Sequence, residues 1–407
     1  MCDFHINKSD EMILEYINLN NSREIISINK KAKTVDRWIK INAKNKLEFI
    51  KEFLPLFMSG QKLILFDSNH KQLLDFHEQN NINKFKNIDE VNKHSQLLFF
   101  TSGSSSFPVG AFKSRENLEK EIKVLKELVK KYDIKKVVVS VPFVHIYGVL
   151  AGLLLPLHLG EIKLVIKENF LPYELLYETL DRGTLVITTP VYIKALPMLR
   201  EDINLSKSLF ICSTGPLDKD DVVALEDKYK TNLLQLFGST ETGGIAYKFS
   251  SSTKWIPMDS VEVSTSDDRL CVKSEFVSPF IIDEKIIELY QPFVTEDIIE
   301  KSEKGFTLVG RSNKIIKIAG KRISASHIES QLEGIDGVEK VVVELVYKKE
   351  LLRSEQINII LQANNKISKK IIKDKICESY GVLTIPFKII YVQSIDFSSM
   401  GKKIIFR

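Results

Sequence analysis

Three stretches of this chain place hydroxyls, glycines and charges where phosphate chemistry needs them. The first is Thr101-Ser102-Gly103-Ser104-Ser105-Ser106-Phe107-Pro108-Val109-Gly110, which follows the apolar run 97–100. Clustered hydroxyls and backbone N–H groups around a flexible glycine form a concave loop that holds phosphate oxygens. The same composition also describes a serine-rich surface turn. It is not the G-x-x-x-x-G-K-[ST] loop, because Ala111 and Phe112 follow Gly110. The second stretch is Leu236-Phe237-Gly238-Ser239-Thr240-Glu241-Thr242-Gly243-Gly244. Thr240 offers a donor to a phosphate, and Glu241 offers carboxylate oxygens to a hard cation. Taken alone, Gly-Ser-Thr-Glu also reads as a helix N-cap with a glutamate in the first turn. The third is the terminal Ser398-Ser399-Met400-Gly401-Lys402-Lys403, a basic tail of the kind that is ordinarily solvated.

The elements between these stretches are those of an α/β chain. Val137-Val138-Val139-Ser140-Val141 reads as a buried strand ending at Pro142, and residues 185–189 and 209–212 repeat the design. Each strand runs into a turn of small residues: Pro142-Phe143-Val144-His145-Ile146-Tyr147-Gly148, then Pro190, then Ser213-Thr214-Gly215-Pro216 before a helix from about Asp218. Strand–turn–helix units of this kind let a flat base or an acyl group lie against backbone, although each alone is an ordinary loop. Residues 115–132 carry apolar side chains at helical spacing among lysines and glutamates, an amphipathic helix. Residues 137–159 are apolar enough to resemble a membrane span. Pro142, His145, Gly148 and Pro156 favour a strand, a turn and a core helix instead.

Composition narrows the field. A chain of 407 residues suits a large and a small domain, and 44% hydrophobic residues is a globular content. A net charge of +5, with no arginine-rich stripe between aromatics, gives no case for nucleic acid. Cys2, Cys212, Cys271 and Cys377 lack metal-type spacing and read as free thiols in a reducing compartment. The start, Met1-Cys2-Asp3-Phe4-His5, has neither a basic region nor an apolar run, so a cytoplasmic location without a signal peptide is expected.

The motifs together resemble the adenylate-forming enzymes, the group of acyl-CoA synthetases, aryl-CoA ligases and peptide-synthetase adenylation domains. Their phosphate loop reads T-S-G-S-T-G-x-P-K-G. This chain keeps Thr101, Ser102, Gly103, Ser104, Pro108 and Gly110, and puts Ser105, Ser106 and Val109 in place of threonine, glycine and lysine. Lys113, three residues later, is a candidate to replace the missing cation. Residues 236–241 match the family's Y-G-x-T-E with Phe237 for tyrosine. Residues 142–148 match its P-x-x-H-x-x-G, and Thr295-Glu296-Asp297 with Gly310-Arg311 match its T-G-D and G-R. Ser398-x-x-Gly401-Lys402 matches its terminal loop. The resemblance runs from about residue 97 to the end, and by position the stretch 1 to about 95 looks shortened.

The resemblance implies an α/β adenylate-forming fold: a large multi-subdomain domain over 1–312 and a small mobile α+β domain over 313–407, hinged at Asn313. It implies nucleotide contacts from Thr101, Ser102, Gly103, Ser104, Ser105, Gly215, Pro216, Phe237, Gly238, Ser239, Thr240, Asp297 and Arg311. Asp297 would accept from the ribose diol, as a carboxylate with two lone-pair faces can. His145, Tyr147, Gly148, Thr214 and Gly238 would line the acid pocket. Glu241 would hold Mg²⁺, and Lys402 would act with Thr240 and Glu241 in adenylation. The implied reaction joins a fatty, hydroxy or aromatic acid to AMP using ATP and Mg²⁺. The acyl group then passes to CoA or to the phosphopantetheine of an acyl carrier protein. No acidic residue stands beside His145, where amino-acid-activating relatives pair an aspartate with the amino group. Two alternatives stay open: an amino-acid–carrier ligase, and a nucleotide-binding protein that has lost turnover. The first keeps the chemistry and changes the acid. The second is prompted by Val109 and opposed by the presence of Glu241, Asp297 and Lys402. Residues 314–407 carry 17 Lys or Arg against 10 Asp or Glu, a surplus that would suit an acidic carrier protein.

Overall fold

The computed structural model describes residues 13–18, 21–26, 32–65, 71–100, 109–311, 315–318, 321–347, 355–380, 387–397 and 403–405. The chain divides into two compact units, Met1–Val263 with Val272–Phe293, and Ser264–Cys271 with Val294–Arg407.

The first unit holds two sheets. One has nine strands in the order Ile256–Pro257, Gly243–Phe249, Asn232–Ser239, Leu209–Cys212, Thr184–Thr188, Lys136–Val139, Lys163–Lys167, Ile13–Ile17, Arg23–Ile26. The six strands from Asn232–Ser239 to Ile13–Ile17 run parallel, and antiparallel partners close both edges. The parallel strands are buried on both faces, which is why 137–139, 185–187 and 209–211 are continuous runs of Val, Ile, Leu and Phe. Val138, Val186, Phe210 and Leu233 form one core with Leu225 and Tyr229 of the helix Lys219–Tyr229. The order reverses at Lys136–Val139, whose neighbours are the next strand on one side and the one after it on the other. At such a switch point a crevice opens beyond the carboxyl ends of the strands.

The second sheet of this unit has six strands, in the order Lys285–Glu288, Phe280–Asp283, Gly110–Lys113, Leu97–Phe100, Leu63–Leu65, Ile39–Lys40. Trp38, Leu98, Phe100, Phe112 and Ile282 make its core. The strand Gly110–Lys113 leads directly into the helix Arg115–Val129 through a capping box. Asn117 N–H donates to Ser114 Oγ at 2.9 Å, and Ser114 N–H donates to Asn117 Oδ1 at 2.9 Å. Its buried residues are Leu118, Glu121, Ile122, Leu125 and Val129, the expected amphipathic stripe with one carboxylate in it.

The four-stranded sheet Val261–Ser266, Arg269–Ser274, Phe293–Ser302, Gly305–Arg311 is antiparallel where Phe293–Ser302 meets Gly305–Arg311. Later in the second unit, Ile315–Ile318 pairs with Lys321–Ser324, and Ile395–Phe397 pairs with Lys403–Ile405. Helices Ala325–Glu333 and Lys369–Tyr380 accompany a sheet of Val338–Tyr347, Glu355–Ala363 and Phe387–Tyr391. Ile328, Leu332, Val341, Ile359 and Ile372 are the centre of that core.

The apolar stretch 137–159 is the strand Lys136–Val139 and a helix of mixed pitch from Ile146 to His158, with a π-turn at Leu150–Leu154. Among the described residues no helix is long and apolar enough to cross a membrane.

Candidate functional site

Gly-Ser-Thr-Glu is the end of a strand and the turn that follows it, not a helix start. Asn232–Ser239 turns back as Gly243–Phe249, with Ser239 opposite Gly243 and a register shift between Phe237 and Gly238. A Cβ on Gly238 would lie 2.2 Å from Gly243 O, so the bulge closes only with glycine there. Gly243 has φ +71°. Ser239 N–H donates to Thr242 Oγ1 at 3.1 Å, and the Thr242 hydroxyl donates to Gly243 O at 2.9 Å. These bonds tie the turn from inside and leave Thr240 and Glu241 at its tip, both half-buried. Neither the Thr240 hydroxyl nor the Glu241 carboxylate has a hydrogen-bond partner among the described residues. Mg²⁺ usually takes one or two carboxylates and completes its shell with water and substrate phosphates. Among the described residues no cluster of three or more His, Cys, Asp or Glu would hold a metal by itself. A single open carboxylate therefore fits a nucleotide-borne Mg²⁺ and no self-sufficient metal centre.

The turn rests on buried charge. Lys113 Nζ donates to Phe276 O at 2.6 Å and to Glu241 O at 3.2 Å. Glu241 O also accepts from Ser278 N–H at 2.8 Å. Gly244 N–H donates to Glu121 Oε1 at 2.8 Å. Burial pulls the Lys113 ammonium below its ordinary range, offset by the charges of Glu121 and Glu241. Burial pushes the Glu121 carboxyl up, offset by Lys113 and the Gly244 N–H. This corrects the expectation that Lys113 replaces the loop lysine: its side chain is wholly buried and spent on two carbonyls.

Three more expected segments leave the carboxyl ends of neighbouring strands. His145 caps the helix Ile146–Val149, and Val149 N–H donates back to His145 O at 3.1 Å. Gly148 packs on the start of the same segment, where an added Cβ would sit 2.0 Å from Pro142 O. Tyr147 faces the sheet: its hydroxyl reaches Ile211 O at 2.8 Å and Thr188 O at 3.1 Å, bridging two strand ends. Burial raises its phenol well above the ordinary value. Beyond Leu209–Cys212, Ser213 Oγ donates to Leu236 O at 3.0 Å. Thr214 follows at φ +87°, a conformation costly for a β-branched residue, and its buried hydroxyl has no partner among the described residues. Gly215 lies beside Pro190, the first residue of the helix Pro190–Ala195, with Pro216 next in the chain. Phe237 packs on Trp255 with ring centroids 5.4 Å apart, and Lys248 Nζ lies 4.6 Å from the indole.

In the second unit, Asp297 and Arg311 are register partners on adjacent strands, with Nε 3.7 Å from Oδ1. Asp297 N–H donates to Thr295 Oγ1 at 3.1 Å, and Glu296 pairs with Arg269 at 3.8 Å. The T-E-D segment is thus strand, with the side chains of Thr295 and Glu296 both engaged. Thr101, Ser102, Gly103, Ser104, Ser105, Asn313 and Lys402 lie outside the described residues.

Sequence reasoning missed the Lys113–Glu121 pair and Trp255. Glu121 had a signal, since it stands three after Leu118 and four before Leu125, on the helix's apolar stripe.

The family model of the AMP-binding enzymes matches residues 39–275, more than half the chain and all of the strand-end loops just described for the first unit. The chain belongs to the AMP-binding enzymes. Among its relatives is the Staphylococcus haemolyticus protein VraA, which carries the provisional name long chain fatty acid-CoA ligase. It is 24% identical over 207 residues, 48% of this chain and 44% of that protein. The 3,4-dihydroxybenzoate–[aryl-carrier protein] ligase of Bacillus anthracis is 21% identical over 270 residues, 65% of this chain and 63% of that protein. This AMP-binding enzyme thus spans less than half the length of the first of these relatives. In fold it resembles the O-succinylbenzoate coenzyme A synthetase of Bacillus subtilis, solved with ATP and magnesium ion. The TM-score is 0.75 at 16% identity, covering 97% of this chain and 96% of that one. The fold is that of the adenylate-forming enzymes.

Proposed function

We propose that this AMP-binding enzyme activates a carboxylic acid with ATP and passes the acyl group to a thiol. The observation that carries the reading is the placement of 142–148, 213–216 and 239–243 beyond the carboxyl ends of parallel strands around one topological switch point. A carboxylate oxygen attacks the α-phosphorus of ATP, the bond to the bridging oxygen breaks, and pyrophosphate leaves with the electron pair. The thiol sulfur then attacks the acyl carbon, AMP leaves, and the thiol proton is lost to solvent. Thr240 donates to the α-phosphate oxygen on which charge grows. Glu241, with the nucleotide's phosphates, holds Mg²⁺, which when bound neutralises phosphate charge. Phe237, braced by Trp255, walls the adenine, with Gly215 and Pro216 against its other side. Asp297 takes the ribose hydroxyls with Arg311 beside it, and Thr101, Ser102, Gly103, Ser104 and Ser105 serve the phosphates. Lys402 contacts the carboxylate and α-phosphate during the first half-reaction, and rotation about Asn313, between domains 1–312 and 313–407, exchanges it for the thiol. His145 and Gly148 border the acid, which the segment's lack of a carboxylate makes a fatty, hydroxy or aromatic acid.

The acceptor is an acyl carrier protein in preference to free CoA. The positive surplus of 314–407 supports this, and so does the name of the carrier-protein ligase among the relatives. Pyrophosphate release across a panel of acids tests the first half-reaction. Thioester formation at rising salt tests the second, because steered encounter weakens as the screening length falls from about 30 Å at 0.01 M to about 8 Å at 0.15 M. Equal, salt-insensitive transfer to CoA would remove the carrier preference. Val109 and the buried Lys113 favour a second reading, a nucleotide-binding protein without turnover. ATP binding with no pyrophosphate from any acid would establish it.

A further inference from the structure

Under the Thr240–Glu241 turn lies a pair of opposite charges that adenylation chemistry does not itself require. Lys113 ends the strand Gly110–Lys113 and is 0% exposed, and Glu121 sits on the inward stripe of the helix that follows. Burying two ions is costly, and an apolar pair of equal volume often serves folding as well or better. Folding alone therefore gives little reason for them. Their contacts give another. The ammonium ends on the carbonyl of Glu241 (3.2 Å), and the carboxylate ends on the N–H of Gly244 (2.8 Å), three residues further along the same turn. An added Cβ at Gly243 would lie 2.6 Å from the other Glu121 carboxylate oxygen, so the carboxylate lies close under the backbone between them. Lys113 also holds Phe276 O at 2.6 Å, which anchors the grip to the segment before Val277 and Ser278. Asn117, from the helix cap, donates to Glu275 O at 2.6 Å and stiffens that segment.

We propose that Lys113 and Glu121 are positioning residues that fix both ends of the Glu241 turn and so set the direction of its carboxylate toward the metal–nucleotide complex. The inference rests on the reading of Glu241 as a metal ligand. The device acts through backbone, so it leaves the carboxylate itself open.

The test uses the full chain in calorimetric titrations with MgATP, and with AMP in the presence of EDTA. Glu241→Ala and the double variant Lys113→Met/Glu121→Gln are compared with the native chain. The double variant removes both buried charges, keeps an acceptor for the Gly244 N–H, and withdraws the donor from Glu241 O. It is expected to unfold at a temperature close to the native one, to bind MgATP about tenfold more weakly, as a mispositioned ligand should, and to lose much less affinity for AMP, which meets the turn only through its one phosphate at Thr240. A role in folding alone would not separate the two nucleotides. The single variant Lys113→Met leaves Glu121 buried beside no cation, and if it does not fold the double variant decides. Native-like MgATP affinity in the double variant, with affinity lost in Glu241→Ala, overturns the positioning role alone. A double variant that does not fold also overturns it, because the pair is then a requirement of the fold. A native chain that binds no MgATP, or an unaffected Glu241→Ala, defeats the reading of Glu241 and the inference with it.

Discussion

Gly148→Ala should damage the acid side of the proposed site more than any other single methyl group added to it. The added Cβ falls 2.0 Å from Pro142 O, 2.9 Å from Pro142 C and 3.3 Å from Phe143 Cα, all of them backbone atoms. No side chain can swing away, and real Cβ atoms stay beyond 3.0 Å, so the two ends of the 142–148 segment must part by about 1 Å. Overpacking of this kind costs about 1–3 kcal/mol. The displaced helix start also pulls Tyr147 from Thr188 O and Ile211 O, at about 1 kcal/mol for each bond. Together these give about 3–5 kcal/mol, a fall in Tm of roughly 6–10 °C for a unit of this size. His145 moves with the segment, and a displacement of about 1 Å near reacting atoms costs on the order of 10² in rate. Thermal unfolding and acid-dependent pyrophosphate release measure the two effects. Tyr147→Phe, which removes only the hydroxyl, should give the smaller part of the Tm loss and leave the KM for the acid nearly unchanged. Gly148→Ala with a native Tm and a native KM would refute the packing argument.

Lys402→Ala is expected to lower adenylation by about 10² or more while sparing thiol attack on supplied acyl-AMP, and equal loss of both would sink the assignment. Val109→Lys should lower the KM for ATP or raise the adenylation rate, because Lys113 is buried on the carbonyls of Phe276 and Glu241; no change in either would make this end of the loop irrelevant to phosphate. His77, packed edge-on to Phe100 at 4.9 Å, is lowered by burial, with Lys40 adding to it, from 6.5 to about 4. Between those values the unfolded chain binds a proton that the folded imidazole refuses. Its contribution is therefore complete above pH 6.5 and lost as pH falls, by about 2 kcal/mol at pH 5. Denaturant midpoints at pH 7 and pH 5 should converge in His77→Phe, and an unchanged difference would assign the acid sensitivity elsewhere.

Much of the first unit was legible because its parallel strands are buried on both faces and therefore written as unbroken Val, Ile, Leu and Phe. The glycines were legible as motif members, and the structure supplies their reasons: Gly148 lies against Pro142 O, and Gly238 against Gly243 O. Other features depended on tertiary contact. A lysine closing the short strand Gly110-Ala111-Phe112-Lys113 reads as a solvent-facing cation, and only the carbonyls of Phe276 and Glu241, far along the chain, make it a buried one. Tyr147 read as a pocket residue from its place in P-x-x-H-x-x-G, and only the tertiary structure shows that its hydroxyl is committed to two strand ends. Gly-Ser-Thr-Glu taken alone also read as a helix N-cap, and pairing of Gly243–Phe249 with Asn232–Ser239 makes it the turn of a hairpin instead, which local sequence did not show.

If the Glu241 turn serves attack of a carboxylate on ATP, labelled pyrophosphate must exchange into ATP through that turn. With a panel of fatty, hydroxy and aromatic acids, the native chain should show exchange that depends on one class of acid and on Mg²⁺. Glu241→Ala, folded to the same Tm, should lose it by about 10² or more. Exchange that survives in Glu241→Ala, or a native chain that binds MgATP yet exchanges pyrophosphate with no acid, would show that the turn does not serve this attack.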